Sequence, residues 1–201
     1  MQLRYQTASP HCRKTLAALR IRRDDVEIIE TSDTTDRRAL LHAEPLLTTE
    51  RGAFTSAASI LAELESHRRV LLPARIEDQV GALDRMLDLY LLEPALTMAA
   101  EPRTPASVGA VYTVMRALDL VADRLSDGRR FLLGDTLTLA DLTAVIGATD
   151  AGRQGVPLPR SIAAYTRRAA LIQPIGEIVA EADAWFALVE AAEAGRTALA
   201  A

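Results

Sequence analysis

Strand-forming patterns in this chain end before Pro73, and that asymmetry constrains its fold more than any other feature. Residues 1–7 alternate, with Leu3 and Tyr5 on one face and polar neighbours between them. Ser9 followed by Pro10 starts a helix over 10–22: a hydroxyl cap, then a residue whose fixed φ and missing N–H suit the first helical position. Leu16, Leu19 and Ala17 form its inward side. Asp24 and Asp25 turn into a β-branched strand over 26–30. The polar stretch 31–43 holds a short helix at 36–42, and Pro45 opens a strand over 46–49. Gly52 turns a hairpin into a return strand at 53–55. Ser56 or Thr55 then caps a helix over 56–65, with Ile60, Leu61 and Leu64 inward.

This β-α-β-α-β-β-α order is that of a thioredoxin-like domain, expected over residues 1–66. Residues 67–75 read as a linker and 76–201 as an all-helical domain. There Ile76, Val80, Leu83, Leu87 and Leu91 make one stripe at helical spacing. Thr104 and Pro105 open a helix with the stripe Val108, Val111, Val114, Leu118, Val121 and Leu125. Thr138-Leu139-Ala140-Asp141 has the form of a capping box, with aspartate in place of Glu or Gln. Leu137 and Leu142 stand at the positions of a hydrophobic staple. Two more helices are expected near 160–172 and 174–194, with an Ala-rich tail that should fray. The expected class is an α/β thioredoxin-like N-terminal domain followed by an all-α C-terminal helical domain.

Composition narrows the function. Of 201 residues, 49% are hydrophobic and 25% charged, enough apolar material for a sizeable core; aromatics at 4% leave Ala and Leu to do the packing. A net charge of -4 with scattered arginines argues against a nucleic-acid partner. The single cysteine, Cys12, excludes an internal disulfide and a cysteine-built zinc site. His11, His42 and His67 lack helical ligand spacing, so no metal is expected. No signal-peptide core opens the chain, and no apolar run reaches the roughly eighteen residues of a membrane span, which points to the cytoplasm and away from membranes.

The candidate site lies where the first strand runs into the first helix, at Thr7-Ala8-Ser9-Pro10-His11-Cys12-Arg13-Lys14. Ser9 and Cys12 stand together at the electropositive start of that helix, an end that favours an anion such as a thiolate. The residues alone leave several readings open. Ser9 reads as a plain helix cap. Cys12 is a small buried residue or a reactive thiol of lowered pKa. Tyr5 reads as a core aromatic, His11 as exposed, and Arg13 and Lys14 as surface or interface cations.

Ser9-Pro10-His11-Cys12-Arg13-Lys14 is similar to a Ser-Pro-x-x-Arg-Lys helix entry, and Glu44-Pro45 with the strand that follows is similar to a cis-proline loop. Residues 131–141 are close to a Gly-Asp-x-x-Thr-x-Ala-Asp box. Together these stretches resemble the cytosolic glutathione transferase family, in the form of its bacterial, serine-type members. The resemblance implies an N-terminal domain that binds glutathione as co-substrate, a helical domain that supplies the pocket for a small hydrophobic substrate, and a homodimer. It implies Ser9 as the catalytic serine, donating to the glutathione sulfur. A free thiol of pKa about 8.5 is only a few per cent ionised at neutral pH, so such a bond would raise the thiolate fraction. It also implies Pro45 as a cis-proline that turns the backbone of Glu44 toward the cysteinyl part of glutathione. Without the resemblance, Pro45 reads as an ordinary trans proline opening an edge strand. Met86, Tyr90, Met98, Tyr112 and Met115 are candidate lining for the second-substrate pocket, and equally candidate core.

One departure stands out. Where the family usually carries Glu-Ser or Asp-Ser before its third helix, this chain carries Ser56-Ala57. The acid that would take the glutathione amino group is missing. Ser56 keeps a hydroxyl and Ala57 a backbone N–H at a helix start. Alongside a conjugating enzyme, the sequence therefore leaves open a non-catalytic binding protein of the same fold, or a thiol transferase that works through Cys12.

Overall fold

The computed structural model describes residues 1–31, 36–102 and 104–200, without the side chains at 193 and 196–200. β1 (Gln2–Tyr5) pairs in parallel with β2 (Glu27–Glu30) and antiparallel with β3 (Leu46–Thr49). β3 continues through the expected hairpin into β4 (Gly52–Thr55), giving the order β2-β1-β3-β4. Leu3 lies opposite Leu47, and Leu47 opposite Phe54, so one face of the sheet is apolar. Under it pack Leu16 and Leu19 of α1 (Pro10–Arg22) and Ile60, Leu61 and Leu64 of α3 (Ala57–His67). The short α2 (Arg37–Leu41), capped by Asp36, packs against the helical part instead.

α1 starts and stops where its sequence signals place it, but its surroundings differ from an amphipathic surface helix. Arg13, Lys14 and Arg22 are buried along with its apolar residues. The helix lies between α3 on one side and α7 (Leu139–Arg153) and α9 (Gln173–Ala200) on the other. A buried cation requires an anion, and each finds one. Arg13 makes a two-pronged pair with Asp150 of α7, at 3.0 and 2.6 Å. Lys14 Nζ lies 3.0 Å from Asp84 and 3.1 Å from Asp88, and Asp84 also accepts from the Thr143 hydroxyl at 2.5 Å. Both cations are therefore interface residues.

The helical stripe from Ile76 conceals a break. α4 (Glu77–Leu87) passes into a π turn (Asp88–Leu92), then into α5 (Glu93–Ala100). The cause is Pro94. In an unbroken α-helix its ring would meet the carbonyl of Tyr90 and leave that carbonyl without a donor. The wider turn, in which the N–H of Glu93 reaches the carbonyl of Asp88, accommodates it. The turn seats against Gly147 of α7, where an added Cβ would lie 2.7 Å from Leu91 Cγ.

α6 (Pro105–Arg124), α8 (Arg160–Ala170) and α9 complete the helical part. On α6 the inward side includes Ala110 and Ala117 with Val114, Leu118 and Val121, whereas Val108, expected inward, is 58% exposed. The capping box at Thr138 is present and more heavily used than the motif requires. Asp141 accepts from the Thr138 N–H and hydroxyl, from the Leu132 N–H and from the Tyr165 hydroxyl at 2.7 Å. No helix among the described residues is long and apolar enough to cross a membrane.

Replacing Gly147 by alanine should press a methyl group into Leu91 and destabilise the protein by about 1–3 kcal/mol. Urea denaturation of G147A would show it, and an unchanged midpoint would mean that α7 does not seat the π turn so closely.

Candidate active site

The sheet register gathers the expected site residues at one end. Arg4 pairs with Leu46 and Leu46 with Thr55, so the segments leaving β1, entering β3 and leaving β4 all emerge there. Ser9, Pro45 and Ser56 thus share the end of the sheet, with β1 and β4 two strand spacings apart, about 10 Å.

Ser9 is the N-cap of α1. Its Oγ accepts from the Cys12 N–H at 3.3 Å and donates to the Ala43 carbonyl at 2.6 Å. A hydroxyl that accepts from a helix N-terminus is polarised toward stronger donation, and here the recipient is Ala43. Ser9 is wholly buried. Its chain neighbour Ala8 joins Leu41, Leu96, Ala99 and Phe186 in an apolar cluster apart from the main core. Trp185 lies beside this cluster, its ring edge-on to Phe186 with centroids 4.9 Å apart.

Cys12 is also wholly buried, and its Sγ donates to the same Ala43 carbonyl at 3.4 Å. Of the two sequence readings of Cys12, the reactive thiol would draw a lowered pKa from the helix N-terminus. Burial overrides it: desolvation pushes the thiol up, against the smaller opposing effects of hydrogen bonds from Gln6 and Ser9. Tyr5 is a core aromatic, as its strand position suggests, and burial raises its hydroxyl pKa too.

The proline loop differs from the family expectation. The Glu44–Pro45 peptide is trans, no cis bond being present among the described residues. In this arrangement the carbonyl of Ala43 points at Ser9 and Cys12, while Glu44 is exposed and Pro45 buried. At the third corner, Ser56 has φ 70 and ψ 143, a left-handed conformation that a non-glycine residue adopts at a cost of about 1–3 kcal/mol. Its Oγ accepts from the Ser59 N–H at 3.3 Å, capping α3, and Ala57 is buried behind it.

The structure adds a partner that sequence reasoning missed. His11, expected to be exposed, has its Nε2 2.9 Å from Glu93 Oε1, and that hydrogen bond holds the Glu93 carboxyl below its ordinary range. The π turn makes this possible. Asp84 and Asp88 are neighbours on the helix face at α-helical spacing, and a further five residues around a π turn bring Glu93 over Asp88. All three acids thereby face α1. The sequence signal was Pro94, which marks where the helical phase must change.

Met86 and Tyr90, two residues removed from Asp84 and Asp88, face the other way. With Tyr112, Arg116 and Leu120 of α6 they line a groove of about 450 Å³ to which the sheet, α1, α2 and α3 contribute no residue. Met98 is buried and Met115 is exposed outside that lining. The expected lining residues therefore do not gather around Ser9. Among the described residues there is no group of His, Cys, Asp and Glu arranged to hold a metal.

No family model and no curated protein sequence matches the chain. Solved structures do. A diazinon-metabolizing glutathione S-transferase of the silkworm Bombyx mori superposes with a TM-score of 0.76 at 16% identity, over 90% of this chain and 96% of that one. The bacterial glutathione transferase BphK, in a ternary complex, gives 0.76 at 15% identity over 91% and 100%. Gtt2 of Saccharomyces cerevisiae gives 0.73 at 14% identity over 89% and 100%. The chain has the glutathione transferase fold, a thioredoxin-like sheet with its helices followed by a helical bundle.

The charge arrangement at α1 has a pH signature. Burial raises the Asp88 carboxyl pKa, Lys14 opposes that and Asp84 reinforces it. A raised acid in the folded state contributes stability below its unfolded pKa and loses it as pH rises through the folded value. Lys14→Met removes the opposing cation. It should cost about 3–5 kcal/mol at neutral pH, part of which returns on acidification as Asp88 takes up a proton. Urea melts from neutral to mildly acidic pH measure this; a loss independent of pH would refute it.

Proposed function

We propose that the chain is a glutathione transferase-like enzyme of the cytoplasm. It takes glutathione as co-substrate at the Ser9 end of α1 and directs its thiolate onto a small hydrophobic electrophile. The observation that carries this reading is the hydroxyl relay at Ser9: Cys12 N–H to Ser9 Oγ, then Ser9 O–H to an acceptor 2.6 Å away. A thiolate in place of the Ala43 carbonyl would receive that same short bond and the field of the helix N-terminus. Glu44, Pro45, Ser56 and Ala57, at the same sheet end, are the residues that would hold the peptide backbone and the γ-glutamyl carboxylate. The strained φ of Ser56 is consistent with a position kept for a ligand. A homodimer fits the exposed apolar side chains Tyr90, Tyr112, Met115 and Leu120 on and beside the groove.

A second reading is a binding protein of the same fold that conjugates nothing. It is favoured by the complete burial of Ser9 and by the absence of an acid at Ser56-Ala57. Burial of Cys12 and its raised pKa disfavour the thiol-transferase alternative.

Millimolar glutathione should raise the melting temperature by several degrees, since a ligand at a hundred times its Kd adds about 2.7 kcal/mol. Ser9→Ala should lower conjugation of a chromogenic aryl halide roughly a hundredfold, while costing only about 1 kcal/mol of stability as a lost cap. A thermal shift without turnover would select the binding protein. No shift at all would exclude glutathione.

A further inference from the structure

Two helices wall a groove that takes no part in the Ser9 site. Met86 and Tyr90, four residues apart across the end of α4 and the π turn, form one wall; Tyr112, Arg116 and Leu120, at the same spacing on α6, form the other. Buried Ala117 closes the bottom. The space, about 450 Å³, falls within the roughly 300–1,000 Å³ of small-molecule sites. A second cavity of about 370 Å³ shares Met86 and Leu120 and carries the groove on toward Arg124, two turns further along α6.

The chemistry of the walls is one-sided. Arg116 is the only charged group in the lining, and no carboxylate accompanies it. Among the described residues Arg116 has no ion pair, and the hydroxyls of Tyr90 and Tyr112 have no hydrogen-bond partner. The Thr113 hydroxyl already donates to the Gly109 carbonyl. Three donors without acceptors, above an apolar bottom, suit a molecule with an acceptor at one end and an apolar body. The two tyrosine rings and the Met86 thioether favour an aromatic body, since ring faces stack and a thioether sits well at a ring edge. A second copy laid in the groove by two-fold symmetry would set this lining against itself, with no carboxylate on either side to receive Arg116. A homodimer through Met115, exposed outside the lining, leaves the groove free.

We propose that the groove between α4 and α6 is a second ligand site, taking a flat aromatic carboxylate or sulfonate. The anionic group meets Arg116, and the rings lie between Met86 and Leu120. The site is independent of Ser9 and of glutathione, so it stands or falls apart from the conjugation reading. Arg116 sets the charge of the ligand, because an arginine without a carboxylate beside it attracts an anion and repels a cation. Tyr112 contributes ring area whatever the ligand's charge.

A matched pair of fluorescent probes tests this: 8-anilinonaphthalene-1-sulfonate and its uncharged counterpart N-phenyl-1-naphthylamine. Both should bind saturably, one per chain. Arg116→Met should weaken the sulfonate about tenfold or more, as loss of a charge-assisted hydrogen bond does, and leave the uncharged probe unchanged. Arg116→Lys should restore most of the loss, and Tyr112→Ala should weaken both probes. Absence of sulfonate binding, or an Arg116→Met variant that binds both probes as the wild type does or loses both equally, would overturn the site. So would displacement of the sulfonate by millimolar glutathione or its loss in Ser9→Ala, which would place the probe at Ser9. Sedimentation velocity supplies the last arm: a dimer that excludes the probe and that Arg116→Met dissociates would make the groove a seam between copies and overturn the proposal. The thermal shift with glutathione tests the conjugation reading separately, and its failure leaves the probe result unaffected.

Discussion

Two buried cations on α1 hold the sheet and the helical bundle in one arrangement. Lys14 between Asp84 and Asp88, and Arg13 against Asp150, are charges removed from water, and each would cost several kcal/mol if its partner shifted away. Apolar surfaces tolerate sliding; a desolvated ion pair with fixed hydrogen-bond geometry does not. The angle at which α1 leaves the first strand is thereby tied to α4 and α7, and with it the position of Ser9 at the helix start.

The acid face that meets α1 depends on an irregularity. Without the π turn, Glu93 would lie on the far side of the helix from Asp84, and His11 would face solvent. Pro94 forces the change of phase, and Gly147 provides the space in which the wider turn can sit against α7. The same helix consequently presents two distinct surfaces: acids toward α1, and Met86 and Tyr90 toward the groove shared with α6.

At the site, two features pull in opposite directions. Ser9 Oγ accepts from the helix N-terminus and donates a short hydrogen bond, the arrangement on which the proposed function rests, and Ser56 has a strained backbone at the third corner of the sheet end. Against them stand the complete burial of Ser9 and Cys12 and the hydrogen bonds that both give to the Ala43 carbonyl.

The strands, the bounds of α1, the hairpin at Gly52 and the capping box at Asp141 were legible in the sequence. Each rests on interactions between residues close along the chain or on a short apolar period, and local chemistry decides those. The candidate residues Ser9, Pro45 and Ser56 were legible as positions, and the register of the sheet does bring them to one end. Their states were not. Whether Ser9 meets solvent, whether Cys12 is activated or silenced, and where Leu41 inserts depend on contacts across tens of residues of sequence. The same holds for the partners of Lys14 and for the phase shift that turns Glu93 toward His11. Sequence determined which side chains stand at the start of α1; only the tertiary structure decided what surrounds them, because desolvation and charge pairing are properties of the packed neighbourhood and not of the residue.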